Sequence, residues 1–112
     1  MLARLLMSLT HSPSRLIDAP ARQIADLCSA EVASLVADQT RQMTLCEIRG
    51  YIRARAARAV RRRVQICVAD SVELRPYEGL LRRRAIDCLV PVVMRRLAAW
   101  ESPAAAVLRK AA

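Results

Sequence analysis

The sequence predicts an all-α fold: a small single-domain helical bundle with two long antiparallel helices and a proline-kinked third. Three observations predict it. The chain has 112 residues, enough for one domain and too few for two. Apolar residues recur at intervals of three and four along three stretches, the spacing of one face of a helix. Prolines and capping residues separate those stretches.

The segment 1–19 is amphipathic, with Leu2, Leu5, Leu6 and Leu9, Arg4 and Arg15, three serines, and no acid before Asp18. Such a composition fits a mitochondrial presequence as well as a helix packed on its own domain, and the second is expected. Pro13 and Pro20 bracket a short connector, and Pro20 suits the first turn of a helix over 20–39 with Asp18 near its positive end. Ala21, Ile24, Ala25, Cys28, Val32, Leu35 and Val36 form its apolar stripe. Small residues opposite (Ala30, Ala33, Ser34 and Ala37, with Gln23) would let a second helix approach closely.

Thr44-Leu45-Cys46-Glu47 has the form of a capping box and opens a second helix over 45–69, about 37 Å long at 1.5 Å per residue. Leu45, Ile48, Ile52, Ala56, Ala59, Val60 and Cys67 share one face. Arg49 and Arg63 project onto that face, where each needs a carboxylate or a groove edge. From Val64 to Leu74 apolar residues also alternate with polar ones, so the alternative fold is α+β with a small hairpin near 64–74. A lone hairpin is marginal without partner strands, so helix followed by a turn near 70–75 is expected.

Pro76 can open the third helix, although Pro76-Tyr77-Glu78-Gly79 also suits a β-turn with the helix starting at Leu80. Leu81, Ala85, Cys88, Leu89 and Val92 form its stripe, Arg83 and Asp87 are spaced as an i,i+4 pair, and Pro91 predicts a kink or break. Val93, Leu97 and Trp100 resume the pattern. The division expected is an N-terminal segment 1–19, a helical domain 20–101 and a short C-terminal helix or tail 102–112.

Much chemistry is excluded by composition. Two glycines leave no phosphate-cradling loop, and three aromatics leave no base-stacking platform. Cys28, Cys46, Cys67 and Cys88 lack the close pairing of metal knuckles, and Cys28, Cys67 and Cys88, each on an apolar stripe, read as small hydrophobes in a reducing compartment. The lone His11 reads as an exposed side chain, and no acid pair has catalytic or metal-ligating spacing. Glu31, Asp38, Asp70 and Glu73 read as acids that neutralise arginines within the fold. No enzyme, cofactor or metal is expected, and no stretch is long and apolar enough for a membrane span.

Charge is the feature above background. The net charge is +9, yet residues 1–48 carry four Arg and five acids while residues 49–112 carry fifteen basic groups and five acids. Seven Arg and no acid lie between residues 49 and 63. Such asymmetry points to a polyanionic partner. The expected phosphate contacts are Arg53, Arg55, Arg58, Arg61 and Arg62, widened by Arg82, Arg83 and Arg84, with Ala54 and Ala57 leaving room for a backbone. The function expected is sequence-indifferent binding of DNA or RNA, in a cytoplasmic or nucleoid setting, with a mitochondrial one as the alternative. The alternative function is a structural subunit of a larger assembly, nucleoprotein or organellar assemblies included, or a self-associating bundle such as a homodimer, whose arginines meet acidic protein surfaces or embedded RNA.

Overall fold

The computed structural model describes residues 13–100. They form three helices: α1 (Pro13–Val36), α2 (Leu45–Ala69) and α3 (Glu78–Trp100), the last entered through a 3-10 turn at Arg75–Tyr77. No strand occurs among the described residues. The protein is all-α, and the stretch read as a candidate hairpin is the end of α2 followed by turns. The segments 1–12 and 101–112, with His11 and the expected C-terminal helix, lie outside the described residues.

α1 starts at Pro13, seven residues before the start expected at Pro20, and ends at Val36 rather than 39. Proline at either position is compatible with a first turn, because the N–H it lacks would have no partner there. The choice falls to Ile17, which is fully buried and adds a helical turn of core. Pro20 therefore sits inside the helix and leaves the carbonyl of Leu16 without its N–H. Leu16 lies on the exposed side, where water can take that role.

The buried positions obey a four-residue rule. In α2 they include Ile48, Ile52, Ala56, Val60, Val64 and Val68; in α3 they include Leu81, Ala85, Leu89, Val93 and Leu97. In α1 two such rows run side by side: Ile17, Ala21, Ala25, Ser29, Ala33, and Ile24, Cys28, Val32, Val36. A helix turns every 3.6 residues, so a four-residue row moves about 40° around it per step. Rows of this kind interlock in the common packing class whose axes incline by about 50°.

This slant explains several departures from the expected stripes. Leu35 and Leu45 are exposed, and Cys67, Cys88 and Val92 are only half-buried, because the core strip has moved past them. Arg49 and Arg63 reach solvent for the same reason and need no groove edge. On the back of α1, Gln23, Ala30 and Ser34 face solvent, while Ala33 is buried and Ala37 half-buried.

Connectors 37–44 and 70–77 are too short to follow a helix back along its length: eight residues reach about 30 Å even when extended. Both also coil into turns, with bonds such as Met43 N–H to the Thr40 carbonyl and Leu74 N–H to the Ser71 carbonyl. So α2 doubles back on α1, and α3 doubles back on α2. α1 and α3 then run in the same direction: Arg84 meets Asp18 early in both helices, and Arg96 meets Ser29 further along. These two helices share the most extensive interface. The small residues of the Ser29 row allow it. α3 runs through Pro91 without a break to Trp100, with the proline ring exposed.

Candidate nucleic-acid interface

α2 carries most of the candidate residues, and its start is set locally. The Thr44 hydroxyl accepts from Glu47 N–H at 3.2 Å, and the Glu47 carboxylate accepts from Thr44 N–H at 3.3 Å. Both bonds satisfy amides that open a helix without internal partners. At the far end Arg75 folds back: its Nε donates to the Val68 carbonyl at 3.1 Å and its Nη2 to the Ala69 carbonyl at 3.2 Å.

Every arginine of α2 is exposed, but they do not form one surface. At about 100° per residue, Arg55, Arg58, Arg61 and Arg62 share an outer strip, with exposed Ala54 beside them. Arg53 lies on the other flank, where its Nη2 meets the Asp87 carboxylate of α3 at 2.7 Å. Arg62 ends the strip and contacts Glu31 of α1 at 3.2 Å. Arg55 is held over the Tyr51 ring one turn away, 5.9 Å from its centre. Arg58 and Arg61 have no ion-pair partner among the described residues.

The α3 candidates divide in the same way. Arg84 is committed to Asp18 at 2.9 Å and ties α3 to α1. Arg82 is half-buried and Arg83 exposed, and neither has an ion-pair partner among the described residues. The expected Arg83–Asp87 pair does not form, because Asp87 is taken by Arg53. Of the acids expected to neutralise arginines, Glu31 does so; Asp38, Asp70 and Glu73 make no ion pair among the described residues, and Asp18 and Asp87 serve instead.

Two features were missed by sequence reasoning. Ser29 is buried, accepts from Arg96 Nε at 3.1 Å and donates to the Asp26 carbonyl at 2.9 Å, which anchors α3 on α1. No sequence signal joins residues so far apart. The Tyr51–Arg55 contact did have a signal, since i,i+4 neighbours on a helix face each other.

No protein-family model, curated protein or solved structure matches this chain. The electrostatics of the chain itself therefore carry the functional reading. The four cysteines are free; Cys28 is buried, and burial pushes its thiol above the ordinary value of 9.0, opposed by the nearby Arg63 and Arg62 guanidinium groups. No helix among the described residues is long and apolar enough to cross a membrane.

Proposed function

We propose that this protein is a non-enzymatic, sequence-indifferent nucleic-acid-binding protein that holds phosphates with the outer strip of α2. One observation carries the reading: Arg55, Arg58, Arg61 and Arg62 stand exposed along about two turns of one helix face, with a single carboxylate among them. Like charges three and four residues apart are mutually unfavourable in an isolated helix, so an external anion relieves the strip. Guanidinium groups suit phosphate because they bind it through two parallel N–H donors. The strip offers phosphate contacts but no aromatic stack or base-reading groove element, hence the absence of sequence preference. The reading carries with it an intracellular setting, cytoplasmic or nucleoid, with the mitochondrion as the alternative.

Titration with mixed-sequence DNA and RNA tests it. Binding through four contacts should lose roughly a hundredfold in affinity between about 50 and 200 mM salt, by release of condensed counterions. Absence of binding at the lower salt would refute the reading.

A second reading, a subunit of a larger assembly, is favoured by a different observation. Leu27 and Leu35 of α1 are 53% and 48% exposed, one turn on either side of Glu31, and Ile66 of α2 is 59% exposed one turn beyond Arg62. Clustered exposed apolar side chains mark interaction surfaces. Light scattering on the purified chain decides for this reading if it returns a stable oligomer that does not bind nucleic acid.

A further inference from the structure

We infer that Glu31 is a built-in competitor of the nucleic acid: its carboxylate occupies Arg62 and is displaced when a phosphate takes its place. The inference rests on the reading of the α2 strip as a phosphate-binding surface. Arg62 lies one turn beyond Arg58 and continues the strip, so a backbone seated on Arg55 and Arg58 passes beside it. What meets it instead is a carboxylate from another helix, through a single contact of 3.2 Å.

The pair is built to open. Its side chains are 64% and 52% exposed, and it uses one oxygen and one nitrogen rather than the two-pronged geometry that makes such pairs strong. Exposed pairs of this kind contribute little to folding, so exchanging a carboxylate for a phosphate costs the fold little. The other two inter-helix pairs differ in placement. Arg53–Asp87 lies on the flank of α2 turned to α3, away from the strip, and Arg84–Asp18 joins α1 to α3. Among the described residues, Glu31 alone holds a strip arginine.

The chemistry expected is an exchange without covalent change: the guanidinium keeps its charge, the carboxylate is released to water, and one more phosphate counterion is freed. Glu31 therefore lowers affinity for every polyanion by what the pair is worth, while the phosphate on Arg62 still counts in the salt dependence.

The test is a comparison of four variants of the full chain titrated with a short mixed-sequence DNA duplex. Glu31→Gln should bind several-fold more tightly than the parent at about 50 mM salt with its log–log salt slope nearly unchanged, because the parent also seats a phosphate on Arg62 once the carboxylate is displaced. Asp38→Asn removes the same charge from an exposed carboxylate with no ion-pair partner among the described residues, and should gain much less affinity. Arg62→Gln should abolish the difference, so that Glu31→Gln in that background behaves like Asp38→Asn. Circular dichroism confirms that each variant keeps its helices. Equal gains for Glu31→Gln and Asp38→Asn, or a Glu31→Gln slope steeper by about 0.9 because the parent never gives up the carboxylate, would overturn the competitor role while leaving the nucleic-acid reading standing. A Glu31→Gln gain that persists without Arg62 would do the same. A parent that fails to bind at all overturns both.

Discussion

At the scale of single residues, Cys28 and Cys46 make a controlled pair, because one chemistry sits in two environments. Cys28 is buried in the row of α1 that faces α2, and desolvation raises its thiol above the ordinary 9.0. Cys46 is exposed in the first turn of α2. Alkylation requires the thiolate and access to it. Iodoacetamide under native conditions near pH 8 should therefore modify Cys46 readily and Cys28 only after denaturation, which peptide mass mapping reads directly; equal labelling would show that the core opens there. The same shift has a sign in stability. Well below pH 9 the Cys28 thiol is protonated in both folded and unfolded chains and contributes no pH dependence. Above it the unfolded chain releases the proton that the folded chain retains, so stability should fall as pH rises past 9. Burial of Cys28 was legible in the sequence as a position on an apolar stripe. The ion pairs were not legible, since Asp18–Arg84, Glu31–Arg62 and Arg53–Asp87 each join different helices.

At the scale of elements, what was legible is what is decided within a few residues. The Thr44–Glu47 box opens α2 where its spacing predicts, and α2 ends at Ala69 as expected, despite apolar residues that alternate like a strand. That alternation resolves once Val64 and Val68 are seen as steps of a four-residue row, with Ile66 turned to solvent between them. The start of α1 was not legible. Pro13 and Pro20 satisfy the same local rule, and only packing of Ile17 decides between them. Local determinants of α2 give two opposed predictions for urea denaturation. Thr44→Ala removes the hydroxyl that accepts from Glu47 N–H and should cost about 1 kcal/mol. Gly50→Ala should stabilise by about 0.5–1 kcal/mol, because Gly50 is exposed inside the helix and a Cβ added there meets nothing within 4 Å. A neutral or destabilising Gly50→Ala would mean that residue 50 is not helical in solution.

At the scale of the whole molecule, the division of labour among the arginines sets up a test of the proposed function against its own scaffold. Some arginines hold helices together and others face outward, and the two groups predict opposite outcomes. Replacing Arg55, Arg58 and Arg61 with Gln removes three charges from one face of α2 and no ion pair between helices. Stability should change little. The substitution removes the Arg55–Tyr51 cation–π interaction, worth about 0.5–1 kcal/mol at an exposed site, and relief of like-charge neighbours offsets it by a few tenths each. Binding should fall for every nucleic-acid sequence alike, and the log–log salt slope should become shallower by about 0.9 for each phosphate of duplex DNA that is no longer held. Replacing Arg53 and Arg84 is the counterpart. It removes two charges but also two inter-helix pairs, each worth about 0.2–1 kcal/mol at this exposure, so denaturation should shift while the slope holds. General attraction to a basic protein would weaken binding in both variants in proportion to charge; a strip that seats phosphates lowers the slope in the first and not in the second. Equal slope changes per charge removed would mean that the +9 chain draws polyanions as a diffuse cloud and that the face of α2 has no special part in holding them.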